Sequence, residues 1–171
     1  MSIDAHILKP LDFFVDFKQH ELELCAAALK SRTVEAGEVL IERGTPALTF
    51  FIILSGTYEV AFEGDHSNIL DQMGEVMGWS TVVHPFHYIG TVKVKKGGEV
   101  LEISSRGFFE LIQGDNALGE KIMKKLLTTL LSLTIALVPL QVAQANDQKV
   151  LAIIDTTIDS SKIPSVIYEA C

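Results

Sequence analysis

The chain has 171 residues, of which 48 % are apolar and 21 % charged, enough for one domain and a short additional element. This globular composition excludes a disordered or collagen-like chain. The formal net charge of −8 argues against direct nucleic-acid binding. Cys25 and Cys171 lie far apart in sequence, so they indicate neither a zinc site nor a disulfide framework.

The charge is distributed unevenly along the chain. Residues 1–122 hold 10 basic and 18 acidic side chains, whereas residues 123–171 are balanced. This shift predicts a boundary near Met123. Acidic residues such as Asp4 and Asp12 interrupt any early apolar run, so no N-terminal signal peptide is expected.

The first two thirds of the chain predict one helix and then a series of strands. Residues 21–30 have helical apolar spacing, and Cys25 among its alanines is interpreted as a small buried residue. Strand-forming runs follow at about ten-residue spacing, with glycine-containing turns between them. These runs are residues 33–35, 39–41, 50–54, 57–62, 69–73, 91–94 and 100–103. The regular spacing predicts an antiparallel sandwich or barrel.

The apolar period becomes helical from Arg106 onward. Asp115 or Asn116 is expected to cap a second helix. Apolar residues then recur three and four apart, at Leu118, Ile122, Leu126, Leu130 and Leu133. Such a stripe packs either on the protein's own barrel or on a second copy of the same helix, which would give a homodimer.

The segment from Gly74 to Ser80 carries the clearest functional pattern. Gly74 and Gly78 allow close approach of the backbone, and a helical turn here would direct backbone N–H groups at an anion. Glu75 could accept hydrogen bonds from a sugar hydroxyl. On the pattern alone, an ordinary turn between a strand and a helix explains the same residues.

This segment, together with the glycine-punctuated strands at residues 36–44 and 50–56, resembles the cyclic-nucleotide-binding domain family. It is most similar to bacterial regulators of the cyclic-AMP receptor protein type, over about Asp12 to Leu133. The resemblance implies a mainly β jelly-roll barrel of eight strands, with flanking helices and a long C-terminal helix. It also implies a non-enzymatic sensor or regulatory domain, with no cofactor and with cyclic AMP or cyclic GMP as the ligand.

In that family a glutamate contacts the ribose hydroxyl, a role that falls on Glu75, and an arginine neutralises the cyclic phosphate. His87 or Tyr88 takes the arginine's place here. Loss of a charge-assisted contact costs about 1.5–3 kcal/mol, roughly tenfold to a hundredfold in affinity. The implied ligand site comprises Gly74, Glu75, Val76, Gly78, Trp79, Ser80, His87, Tyr88 and Thr91.

The missing arginine leaves a second interpretation, a degenerate barrel that acts as a ligand-free dimerisation or protein-interaction module. No helix-turn-helix pattern follows Pro139, and no third metal ligand lies near His84 and His87. We therefore expect neither direct nucleic-acid binding nor a metal site. The predicted organisation is an N-terminal helical segment (1–32), a β-barrel (33–105), C-terminal helices (106–135) and a tail (136–171).

The tail has a different pattern. Lys124 and Lys125, an apolar run and a small-residue motif ending at Ala145 resemble a secretory signal peptide inside the chain. The favoured alternative is a hydrophobic helix that continues the one begun at Asn116 through about Leu133, because the apolar stripe begins before Met123. Residues 150–161 resemble the first catalytic strand of subtilisin-like proteases, with Asp155 at the aspartate position, and a junction of two reading frames is one hypothesis. Because no later segment supplies the nucleophilic serine of such a protease or its histidine partner, no enzyme is predicted. The run from Leu126 to Val142 makes membrane association the alternative to a cytoplasmic location.

Overall fold

The structure is a computed structural model that describes residues 3–64, 66–82 and 86–137. In these ranges the helices are α1 (Gln19–Ala28), α2 (Ser105–Gly114) and α3 (Asn116–Leu137). The strands are β1 (Lys30–Val34), β2 (Val39–Ile41), β3 (Thr49–Ile53), β4 (Thr57–Ala61), β5 (Ser67–Leu70), β6 (Val76–Met77), β7 (Thr91–Lys96) and β8 (Gly98–Ser104). Short 3-10 turns cover Ala5–Ile7, Asp12–Phe14 and Trp79–Thr81.

The strands form two four-stranded antiparallel sheets. One sheet has the order β1-β8-β3-β6 and the other the order β2-β7-β4-β5. Among the described strands the two sheets do not join into a closed barrel. The predicted mainly β fold of the jelly-roll type with flanking helices is therefore confirmed, in the form of two open sheets.

The main core lies between the two sheets. On β7, Val92 and Val94 are buried whereas Lys93 and Lys95 are exposed, so alternate residues face the core. Tyr58 on β4 and Ile53 on β3 are fully buried in the same cluster. Strand alternation thus fixes which side chains of each sheet face inward.

The two C-terminal helices, α2 and α3, begin at side-chain caps. The Ser104 hydroxyl accepts the Gly107 N–H at 3.1 Å and starts α2 directly after β8. The Asp115 carboxylate accepts the Leu118 N–H at 3.0 Å, which confirms the predicted cap before α3. Leu118 and Ile122, the first two residues of the predicted stripe, are buried.

The chain divides into two compact units, Met1–Met123 and Lys124–Cys171. This division coincides with the composition boundary near Met123. Lys124, Lys125 and the apolar residues up to Leu137 lie in α3, whereas the small-residue motif ending at Ala145 and the protease-like segment with Asp155 lie outside the described residues. No helix in the described part of the chain is both long and apolar enough to cross a bilayer.

Candidate functional site

The connection between β5 and β7, together with the first two residues of β7, is called the cassette here and covers residues 71–92. It begins after β5 in the sheet β2-β7-β4-β5 and crosses to the other sheet, where its middle forms β6. It then ends in β7, which belongs to the first sheet again. Within it, Val83, His84 and Pro85 lie outside the described residues. The cassette is therefore the segment whose shape depends on both sheets.

Two left-handed glycines bracket β6. Gly74 has φ 92° and Gly78 has φ 86°, a region that side-chain-bearing residues rarely adopt. A Cβ atom on Gly78 would lie 2.7 Å from the carbonyl oxygen of Thr49. Gly78 thus meets both a conformational and a steric requirement, which explains why the sequence has glycine at this point.

The Glu75 carboxylate faces its own turn. Its Oε2 atom accepts the N–H groups of Asp71 at 3.0 Å and Gln72 at 2.9 Å. The Ile53 N–H donates to the Glu75 carbonyl at 2.8 Å, which fixes the turn to β3. Both turn donors use Oε2, so this arrangement orients the carboxylate and leaves Oε1 outside the turn's hydrogen bonds. Val76, which follows, pairs with Ile52 as part of β6.

The short helical turn after Gly78 packs on β3. The Thr81 hydroxyl donates to the Thr49 carbonyl at 3.0 Å, and Ser80 beside it is buried. The Trp79 ring packs edge-on against Phe50, with 5.7 Å between the ring centroids. Gly78, Trp79 and Ser80 are therefore brought together by contacts with the first residues of β3.

An aromatic contact continues from this turn into the C-terminal helices. Phe50 lies 6.5 Å from Phe108 on α2, again between ring centroids, and both rings are buried. No sequence pattern connects Phe108 with the cassette. Only the three-dimensional pairing of β3 with β8 brings Phe50 close to the start of α2.

The structure separates His87 from Tyr88, the two residues at the arginine's expected place. Tyr88 is buried; its hydroxyl accepts the Thr49 N–H at 3.0 Å and donates to the Thr49 carbonyl at 2.7 Å. His87 is exposed and forms a bridge with Pro46. Tyr88 thus has a packing role in the core, and His87 is the member of the pair that solvent reaches.

Thr91, the last predicted site residue, lies at the start of β7. Its hydroxyl accepts the Arg43 N–H at 3.2 Å. Because the next residue, Val92, is buried, Thr91 projects from the opposite face of the strand. This hydrogen bond holds Thr91 beside the turn between β2 and β3, and it does not bring Thr91 close to Glu75 or Trp79.

A profile of the cyclic nucleotide-binding domain family matches residues 31–115. The chain carries a cyclic nucleotide-binding domain. The matched residues run from β1 to the end of α2 and include the whole cassette, so the resemblance recognised in the sequence is confirmed. The family match also agrees with the two antiparallel sheets and the helices that flank them.

Three relatives illustrate the similarity. A protein from Geobacter metallireducens GS-15, named as a cyclic nucleotide-binding protein, has a TM-score of 0.68 at 21 % identity and covers 76 % of this chain and 97 % of its own. The regulatory subunit of a cAMP-independent protein kinase A from Trypanosoma brucei has a TM-score of 0.61 at 22 % identity, over 72 % of this chain and 43 % of that one. The Acetyltransferase Pat of Mycolicibacterium smegmatis is 43 % identical over 60 residues, which is 35 % of this chain and only 18 % of that enzyme.

The domain's arginines are all engaged with carboxylates. The chain has three arginines, Arg32, Arg43 and Arg106. Arg32 pairs with Glu38 and, at 3.6 Å, with Glu102, whereas Arg43 lies 3.7 Å from Glu63 and Arg106 lies 2.8 Å from Glu110. The cassette sequence itself contains Asp71 and Glu75 and no lysine or arginine. Its fixed side-chain charges are therefore negative.

A metal site among the described residues would need several histidine, cysteine, aspartate or glutamate side chains close together. No group of three or more His, Cys, Asp or Glu side chains in this part of the chain could hold a metal ion. His84, which the sequence places three residues before His87, lies outside the described residues. The described part of the cassette offers backbone groups, hydroxyls, the carboxylates of Asp71 and Glu75, the imidazole of His87 and aromatic rings.

Proposed function

We propose that this cyclic nucleotide-binding domain is a regulatory domain without catalytic activity of its own. It binds a small ligand at the cassette and transmits the bound state to α2 and α3. The observation that carries this proposal is the position of Phe50, whose ring contacts both Trp79 in the cassette and Phe108 on α2. The domain family and the regulatory subunit among the structural relatives support the same class of function.

Transmission follows from packing. Aromatic side chains in a close-packed interior rearrange together, because a displaced ring leaves a void or a clash at its neighbour. A ligand shifts such an arrangement only by binding one state more tightly than the other. A ligand that repositions Trp79 would therefore change the packing of Phe50 against Phe108 and so the position of the start of α2.

The proposed ligand contacts extend along the cassette. Glu75, oriented by its own turn, accepts a hydroxyl through Oε1, and backbone groups near Gly74, Gly78 and Trp79 provide further polar contacts. Val76 and Ser80 complete the proposed site. Thr91 and the exposed His87 lie at the end of the segment, and the buried Tyr88 positions this end against the core. Cyclic AMP and cyclic GMP are the reference ligands for the family.

A ligand-free interaction module is the second candidate function. The Tyr88 hydroxyl bonds both backbone groups of Thr49, so this one of the two side chains at the arginine's expected place is buried in the core. In this alternative, the same Trp79, Phe50 and Phe108 contacts serve only stability, and the domain's surface or its α3 helix binds a protein partner or a second copy.

The single tryptophan of the chain tests the coupling directly. Phe108→Leu should shift the emission of Trp79, because it removes the ring that packs behind Phe50. Phe13→Leu is the matched control, since Phe13 packs on Phe14 and Phe17 in the N-terminal segment. Equal Trp79 spectra in the wild type and both folded variants would contradict transmission through Phe50.

A further inference from the structure

The first turns of α3 are held on both sides of an apolar stripe. Leu118 and Ile122, which begin this stripe, are only 1 % and 2 % exposed. Gly119 lies on one side of the stripe and packs closely on α2, because a Cβ atom there would clash with the Ile112 carbonyl oxygen. Lys121 lies on the other side, since successive residues of a helix are about 100° apart. The stripe therefore faces its own domain between these two contacts.

Lys121 fastens its side of α3 to the N-terminal helical segment. Its Nζ atom donates to the Glu21 carboxylate at 2.7 Å and to the Asp16 carbonyl at 2.5 Å, and it lies 4.7 Å from the centroid of the Phe17 ring. Glu21 is buried and also accepts the Lys18 N–H, so its carboxylate is already oriented toward the lysine. Hydrogen bonds between charged groups are stronger than neutral ones, and a cation over an aromatic face adds to them. These three contacts of Lys121 are called the Lys121 clamp.

A stripe that is docked on its own domain is not available to a second copy. The same apolar spacing continues in the sequence at Leu126, Leu130 and Leu133, a pattern typical of a helix that pairs with another helix. While Leu118 and Ile122 are buried within their own chain, such pairing excludes them. When the binding-competent state is only partly populated, the apparent affinity falls by the populated fraction. Contacts that stabilise the docked state therefore weaken the pairing of two copies through α3.

We infer that the Lys121 clamp is an autoinhibitory contact, which keeps the α3 stripe on its own domain and away from a second copy. Release of the clamp allows a homodimer to form through the stripe. Lys121 controls this choice because its side chain is 25 % exposed and all its contacts depend on its charge, whereas the apolar residues of the stripe are the same in both states. The inference needs no ligand, so it goes beyond the proposed function.

The test measures the dimer dissociation constant of the full chain by sedimentation velocity over a concentration series. Lys121→Gln removes the charge and keeps a polar side chain. It should tighten dimerisation at least about tenfold, the smallest effect of a lost charge-assisted contact. Lys93→Gln is the matched control, because it removes the same charge from the exposed face of β7, and its dissociation constant should equal that of the wild type. Glu21→Gln keeps an acceptor for the Lys18 N–H and should act in the same direction by a smaller factor.

A second substitution identifies the dimer interface. Ile122→Ala in the Lys121→Gln background should remove the gain, because the stripe forms the interface; circular dichroism establishes that each variant is folded. Equal dissociation constants for the wild type and Lys121→Gln, or monomers at every concentration, would overturn the inference. A gain that survives Ile122→Ala would also overturn it, since the second copy would then bind elsewhere. If Lys121→Gln does not fold, Glu21→Gln decides, and unchanged dimerisation in that folded variant would contradict the clamp.

Discussion

The indole ring of Trp79 packs edge-on against the buried ring of Phe50, with 5.7 Å between their centroids. Trp79 belongs to the cassette, whereas Phe50 lies on β3, which pairs with β8 just before α2 begins. This contact joins the segment proposed to bind ligand to β3, the neighbour of the strand that leads into the C-terminal helices. The proposed regulation depends on this contact.

The backbone at Gly78 gives the first prediction. Gly78→Ala should lower the free energy of unfolding by about 1–3 kcal/mol, because it combines a left-handed φ with an atom 2.7 Å from the Thr49 carbonyl oxygen. Urea denaturation followed by Trp79 emission measures this loss. Gly114→Ala is the control, since a Cβ there meets no atom within 4 Å. Equal stability of the two variants would show that the Gly78 turn relaxes freely.

Glu75 gives a prediction that separates its two roles. Glu75→Gln keeps one oxygen for the Asp71 and Gln72 N–H groups, so its stability should match the wild type within about 0.5 kcal/mol. Glu75→Ala removes that acceptor and should cost about 0.5–1.5 kcal/mol. Both variants should lose ligand affinity. Retained affinity in a folded Glu75→Gln protein would assign the carboxylate to the turn alone.

The ion pair between Glu21 and Lys121 predicts how stability changes with pH. Lys121 Nζ lies 2.7 Å from Glu21 Oε2, donates to the Asp16 carbonyl at 2.5 Å and lies over the Phe17 ring. The hydrogen bond from Lys121, followed by the Lys18 N–H, lowers the pKa of Glu21 below its ordinary value of 4.5. A carboxyl whose pKa is depressed in the folded state stabilises the fold fully at pH values above its ordinary pKa of 4.5. This contribution is lost as the pH falls through the lower folded-state pKa.

Lys121→Met should therefore flatten the loss of stability on acidification and cost about 1–3 kcal/mol at pH 7. Urea unfolding at a series of pH values from neutral to acidic measures both effects. Lys93→Met removes an exposed lysine and serves as the control. Identical acid profiles for the wild type and Lys121→Met would show that the Glu21 pair does not contribute.

Cys25 gives a prediction about thiol chemistry. It is buried on α1, and burial, followed by the nearby Glu21 charge, raises its pKa to about 12. Because the thiolate is the reactive form, the native protein should resist alkylation at Cys25 at pH 8 and react when unfolded in urea. Mass spectrometry of the peptide that contains Cys25 distinguishes this site from Cys171. Equal labelling with and without urea would contradict the buried assignment.

Much of the β architecture was predictable from local pattern. The runs at residues 39–41, 50–54 and 57–62 fall on β2, β3 and β4, because glycine turns and alternating apolar residues mark such strands clearly. The helix predicted to reach Lys30 ends at Ala28 instead, since the polar residues that follow pair with β8 as β1. Strand β6 was missed, because two residues between glycines carry too little periodicity.

The candidate site was predictable only in part. The glycines and the segment from Gly74 to Ser80 stood out in the sequence, and the family match includes them. The burial of Tyr88 against Thr49 and the link from Trp79 through Phe50 to Phe108 depend on contacts between distant residues. No local pattern encodes such contacts, so the side-chain roles of the cassette emerge only from the fold.

A double-mutant cycle between Trp79→Leu and Phe108→Leu tests the central claim most directly. Each variant's free energy of unfolding is measured by urea denaturation followed by circular dichroism, with Trp79→Leu and Phe13→Leu as the control pair. Coupling through Phe50 predicts an interaction energy of at least about 0.5 kcal/mol for the first pair and additivity for the control. Additive effects in both pairs would contradict transmission from the cassette to α2.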